Sequence, residues 1–116
     1  MTNDKVYQMR FSKIYPLLVN KAVRKGRTQD EVNEVISWLT GYDLDELARL
    51  AESETTYGDF FEKAPHLNDN RKLITGKVCG VSVESIKEPL MQEIRYLDKL
   101  VEELAKGKSM ENILRK

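Results

Sequence analysis

Apolar residues recur along the chain at helical spacing, and proline, glycine and capping residues divide them into several short helices followed by one long one. The clearest segment begins at Thr28. Thr28 and Glu31 form a capping box that satisfies two otherwise unpaired backbone donors, Val32, Val35, Ile36 and Leu39 follow on one face, and Gly41 supplies the left-handed stop. Asp43 and Glu46 repeat the box ahead of Leu44, Leu47, Ala48, Leu50 and Ala51, and Thr56 caps a short helix with Phe60 and Phe61 that Pro65 ends. Upstream, Pro16 suits a first-turn position and predicts a helix over 16–25 stopped by Gly26, with Lys21, Arg24 and Lys25 complementing its negative end.

The longest helix is predicted from Pro89 to about Lys106, with Gly107 as its stop and Ser109 capping a last turn that holds Met110, Ile113 and Leu114. At about 100° per residue, Leu90, Ile94, Leu97, Val101 and Leu104 share a narrow arc, flanked by Leu100 on one side and by Met91 and Ala105 on the other. Two acids interrupt that face: Glu93 projects between Leu100 and Leu104, and Asp98 between Ala105 and Met91. The opposite face carries Arg95, Lys99, Glu102, Glu103 and Lys106, in which Lys99 with Glu103 and Glu102 with Lys106 are expected as pairs one turn apart. A carboxylate among leucines needs a partner, and Arg71 or Lys72 is the first expectation for Glu93. A base from a second subunit is the alternative; a third is that Glu93 leans out to water near the positive end of the dipole.

Two segments stay open. Tyr7, Met9 and Phe11 alternate, which fits a strand or an ordered arm over 6–11. Leu73, Ile74 and Val78 fit a helix ending at Gly80, with Ser82 capping one further turn to Ile86, yet Val81 and Val83 around Ser82 also fit an extended stretch over 78–83. The pattern as a whole predicts an all-α fold, a single domain over 1–116 of five or six helices around a long C-terminal helix.

Composition narrows the function classes. The chain has 116 residues, 41% hydrophobic and 33% charged, which is enough for one core. Lysine plus arginine and aspartate plus glutamate number 19 each, so no global field points to nucleic acid or to an acidic membrane. One cysteine excludes an intrachain disulfide and any multi-cysteine zinc site. No apolar run nears the roughly 20 residues of a membrane span, and the first residues lack signal-peptide form, so a cytoplasmic protein is expected.

The candidate chemistry is sparse. Thr75-Gly76-Lys77 resembles a phosphate loop, but Arg71 stands where that loop needs its first glycine and Val78 where it needs a hydroxyl. His66 and Cys79, each the one residue of its kind, suggest a thiol–imidazole pair, but Cys79 at a helix C-terminus would hold its thiolate poorly. The helices around Gly41-Tyr42-Asp43 have the outline of a helix-turn-helix, yet the second offers Asp45, Glu46 and Glu52 against Arg49, which phosphates would repel. Trp38 and Tyr42 stand at the edge of a stripe, and the polar run from Pro65 to Arg71 reads as turns and a cap or as a functional loop.

Several word-like motifs run in one order: Phe11-Ser-x-Ile-Tyr-Pro, Lys25-Gly-Arg-Thr, Trp38-Leu-Thr-Gly-Tyr, Asn68-x-Asn-Arg, Leu73-Ile-Thr-Gly, Val78-Cys-Gly-Val, Pro89-Leu-Met-Gln and Ile94-Arg-Tyr-Leu-Asp-Lys-Leu. Over nearly its whole length the chain resembles the bacterial family known as domain of unknown function 2200. The resemblance implies a small, cytoplasmic, helical protein and brings no catalytic or ligand residue with it. Three function classes are therefore carried forward. The first is a non-enzymatic binding or protein-interaction module, with a homodimer as one form. The second is a small enzyme or small-molecule binder using His66, Asn70, Arg71 and Arg95, and the third a nucleic-acid accessory protein. No catalytic, cofactor or metal residue is assigned; Trp38, Tyr42, His66, Asn70, Arg71, Glu93 and Arg95 are the candidate ligand or partner surface.

Overall fold

Both capping boxes close in the computed structural model, which describes residues 4–78 and 80–115. Those residues form seven α-helices: α1 (Asp4–Gln8), α2 (Phe11–Val23), α3 (Gln29–Thr40), α4 (Leu44–Leu50), α5 (Tyr57–Glu62), α6 (Pro89–Ala105) and α7 (Met110–Ile113). Two 3-10 turns, Asp69–Leu73 and Val83–Ser85, flank a hairpin of β1 (Lys77–Val78) and β2 (Val81–Ser82), with Lys77 opposite Ser82. The all-α class holds, with seven helices where five or six were expected: α1 replaces the expected strand or arm, and α7 is the last turn that Ser109 was expected to cap.

At the start of α3, Thr28 Oγ1 accepts from the Glu31 amide at 3.2 Å, while Glu31 Oε1 accepts from the Thr28 amide at 2.9 Å. Gly41, at φ 83°, ends the helix in the left-handed conformation, and a Cβ there would stand 2.8 Å from the backbone N and O of His66. Thr28→Ala is expected to cost about 0.5–2 kcal/mol, read as a lower urea midpoint with an unchanged slope. An unshifted midpoint would contradict a stabilising role for the cap.

Helix α2 starts at Phe11, not at Pro16, which lies inside it. The reason is tertiary. Arg10 bridges Thr56, the Phe11 amide donates to the Thr55 carbonyl at 2.9 Å and the Tyr57 amide to the Met9 carbonyl at 2.7 Å, so a neighbouring segment and no side-chain cap fixes the helix start. Phe11, Ile14, Leu18 and Ala22 are thereby buried on one stripe, and exposed Pro16 removes its hydrogen bond on the solvent side. Phe11 stacks on Phe60 of α5, with ring centroids 4.1 Å apart and planes 8° from parallel. Buried Gly58 lets α1 lie on α5, since a Cβ there would meet Tyr7 at 3.1 Å.

Helix α6 runs through the middle and packs on α2, α3, α5, α7 and the hairpin. Its leucine face is buried as expected, with Leu97, Leu100, Val101 and Leu104 inaccessible. Two positions depart from the wheel. Tyr96 is buried, and Glu103, expected on the solvent face, is 8% exposed. Helix α7 and Arg115 fold back over Glu103, whose carboxylate takes Arg115 and leaves Lys99 to pair with Glu102; the Glu102–Lys106 pair forms as expected. Between α5 and α6, the His66 and Asn68 amides donate to the Thr40 and Leu39 carbonyls and so cap the end of α3. Asn68 Oδ1 accepts from the Asn70 amide, Ile74 is extended and Gly76 has φ 106°, so the anticipated 72–78 helix is replaced by the 3-10 turn and the hairpin. Cys79 lies outside the described residues. Among the described residues, no helix is long and apolar enough to cross a membrane.

Candidate functional site

An open groove of about 730 Å³ lies on the outward face of α3. Asp30, Glu34 and Trp38 follow at one-turn spacing along its floor, with Asn33 and Ser37 beside them, while Val32, Val35, Ile36 and Leu39 on the other side of the same helix are buried in the core. Leu44, the first residue of α4, forms one wall and Leu114, after α7, the other. Leu44 is 60% exposed. A second hollow of about 350 Å³, lined by Tyr15, Leu47 and Ala51, adjoins the first through their shared residues Asn33 and Leu44.

The electrostatics of the groove are one-sided. Among the described residues its lining includes Asp30, Glu31 and Glu34 and no lysine, arginine or histidine. Glu31 is committed: Arg27 lies 2.7 Å from its carboxylate and, with the Thr28 backbone, holds it below the usual carboxylate range, while the same guanidinium donates to the Lys108 carbonyl. Asp30 and Glu34 make no ion pair among the described residues. Chain-wise, residues 28–54 carry eight carboxylates against the single base Arg49, so the zero net charge hides a strongly acidic α3–α4 unit.

The residues singled out from sequence fall into three places. Trp38, half-buried, is in the groove. Asn70, Arg71 and Glu93 meet in a polar clasp on the flank of α6. Arg71 Nε reaches both Glu93 oxygens at 2.9 Å, with the two side chains 17% and 13% exposed, and Asn70 donates its amide to the Arg115 carbonyl at 3.2 Å. Arg115 in turn forks onto Glu103 at 2.7 and 2.8 Å, with Lys108 at 3.5 Å. The expected partner of Glu93 is therefore Arg71 of the same chain, and no second subunit is needed to neutralise it. Tyr42, His66 and Arg95 join neither place. Tyr42 is buried, and its hydroxyl donates to the Phe60 carbonyl at 2.7 Å. His66 exposes its side chain and contributes its backbone amide to α3. Arg95 pairs with Asp98 at 3.1 Å. The set of His66, Asn70, Arg71 and Arg95 is thus not one constellation: Arg71, Asn70 and Arg95 are each engaged by a different group. Among the described residues, no group of three His, Cys, Asp or Glu side chains is placed to hold a metal ion.

Asp98 has a carboxyl perturbed upward. Burial pushes it above the ordinary range, and Arg95 and Lys21 pull against that. A raised folded value means that the native state holds this proton more firmly than the unfolded chain, so ionisation of Asp98 lowers stability as pH rises past 3.8. Asp98→Asn is expected to match the wild type below that pH and to exceed it at neutrality. Parallel urea titrations at both pH values test this; an Asn variant weaker at neutrality would contradict it.

Sequence reasoning missed Asp30, Glu34, Leu44 and Leu114. The signal for the first two was present, since Asp30, Glu34 and Trp38 stand four apart opposite the core stripe. Leu44 and Leu114 carried none, because both occupy positions that the periodicity gives to the core.

Fold and site together define a small all-α protein with an open, acidic, tryptophan-bearing groove and a buried ionic clasp. The chain belongs to the family described as uncharacterised proteins conserved in bacteria, domain of unknown function 2200, whose model matches residues 5–115. It is similar to the crystal structure of the uncharacterised protein SP1917, with 48% identity and a TM-score of 0.92 over 98% of this chain and 93% of the other. Among curated proteins, none matches.

Proposed function

We propose that the protein is a single-domain, non-enzymatic interaction module whose α3–α4–α7 groove takes up a cationic, apolar-bearing segment of a polypeptide. One observation carries this reading: the α3 groove combines Trp38, Leu44 and Leu114 with the carboxylates Asp30 and Glu34, which make no ion pair among the described residues, and among those residues no base lines it. An amphipathic helix laid in such a groove buries its apolar side against the leucines and aims its lysines or arginines at Asp30 and Glu34. A tryptophan is also the side chain on whose ring face a cation binds best. The carboxylates of the groove repel phosphates, which disfavours nucleic acid. A single cysteine and the absence of a membrane-crossing helix among the described residues suit a cytoplasmic setting.

Trp38 is the sole tryptophan and reports on the groove directly. A synthetic helical peptide of lysine and leucine, free of tryptophan, is expected to change its fluorescence saturably. The same peptide with glutamate for lysine is expected to leave it unchanged. Glu34→Lys should weaken the response to the lysine peptide. Equal responses to both peptides, or none to either, would sink the reading.

A further inference from the structure

The chain itself carries a surface of the chemistry that the groove selects. Residues 5–27 hold seven bases and no acid, directly before the acidic stretch 28–54. On α2, Lys13, Leu17, Asn20 and Arg24 at its C-cap fall within an arc of roughly 60° at about 100° per residue. All four are exposed, and Leu17, at 62%, is the most exposed large apolar side chain named for the core or surface of this chain. Lys13 and Arg24 make no ion pair among the described residues. The stripe is the outward face of α2. The other side of the helix is buried against the core, and Tyr15, about half a turn from the stripe, bonds Asn33 of α3 at the groove edge.

From this we infer that the segment entering the groove is the Lys13–Leu17–Arg24 stripe of a second copy of the chain, so that molecules associate head to tail. The inference rests on the proposed use of the groove and names its occupant. Leu17 and Leu44, the two leucines most exposed to water, are both covered by one contact. Lys13 and Arg24 meet Asp30 and Glu34, four charges that make no ion pair among the described residues. Because stripe and groove are different surfaces pointing in different directions, the contact is heterologous: each molecule has one surface of either kind to offer. A single copy cannot satisfy itself, since Tyr15 and the stripe lie on opposite sides of the same rigid helix.

The test uses two exposed-site variants of the full chain. Leu17→Glu disables the stripe and leaves the groove; Leu44→Lys disables the groove and leaves the stripe. Each is a surface change expected to leave the fold intact, verified by circular dichroism. In sedimentation velocity the wild type is expected to shift to larger species as concentration rises and to shift back in high salt. Either variant alone should associate at least about tenfold more weakly, since each places a like charge at the contact. Mixed together, they should associate again, because the intact groove of one meets the intact stripe of the other. A wild type that stays monomeric throughout, variants that associate as well as the wild type, or a mixture that does not associate would each overturn the inference. The proposed use of the groove is judged separately: a monomeric protein that still binds the lysine–leucine peptide at Trp38 retains that function with a different occupant.

Discussion

Glu93→Gln is expected to lower the free energy of unfolding by about 3 kcal/mol, the lower end of what breaking a buried ion pair costs. Both oxygens of Glu93 are held by Arg71 at 2.9 Å, and the two side chains keep only 17% and 13% of their exposure. The neutral amide keeps one acceptor oxygen but removes the countercharge and the second acceptor of the Arg71 guanidinium, which otherwise holds the Asn68 carbonyl, with little water to replace what is lost. For a chain of this size the melting midpoint should fall by several degrees per kcal/mol. The double variant Arg71→Met with Glu93→Leu should recover most of the loss, because an apolar pair of similar volume carries no desolvation penalty. A change below about 0.5 kcal/mol in the single variant would place the pair in effectively exposed surroundings. Its oligomeric state should not change, since Arg71 belongs to the same chain.

Glu103→Gln should cost at least as much and act locally first. Its carboxylate faces Arg115 at 2.7 and 2.8 Å and Lys108 at 3.5 Å, and it is the most buried charged side chain described. Neutralising it leaves two cations facing each other across a short final helix, with Asn70, Arg27 on the Lys108 carbonyl and the buried Ile113 among the remaining anchors. About 3 kcal/mol is the expected loss. Because α7 holds only one turn of its own hydrogen bonds, the C-terminal segment should open before the rest unfolds. Limited trypsin digestion reads this directly: the variant should be cut at Lys108 under conditions that leave the wild type whole. Loss of global stability without faster cutting at Lys108 would show that the clasp is not what holds the segment. Leu114 adjoins Arg115, so the same variant should also weaken peptide binding in the groove, which loses one wall.

What could be read from the sequence follows how local each determinant is. The start and stop of α3 are set by Thr28, Glu31 and Gly41, all within the segment, and the structure has them where the spacing puts them. The same holds for α4, for α5 and for the Pro89 start of α6. The start of α2 was not legible, because the groups that fix it are the carbonyl of Thr55 and the amide of Tyr57, far along the chain. Glu103 was misplaced for a related reason. A helical wheel ranks positions against one core, and it cannot foresee that a later segment will fold over the opposite face and bring an arginine with it. Arg71 as the partner of Glu93 was legible, since an acid on an apolar face demands a base and few were available. The groove was half legible. Its floor is the polar face of a well-predicted helix, whereas its walls come from Leu44 and Leu114, two residues whose type signals burial.

The separation of bases on α2 from acids on α3 and α4 changes what a net charge of zero means. The molecule extends 32 × 31 × 26 Å, several times the roughly 8 Å over which charges remain visible at physiological ionic strength. Anything approaching therefore senses one face at a time and never the sum. Two copies drifting together with like faces are pushed apart and turned, and only a crossed approach is drawn in, so orientation is sorted before any side chains touch. Long uniform polyelectrolytes of either sign gain little from such a molecule, because each favourable face is followed within its own length by an unfavourable one.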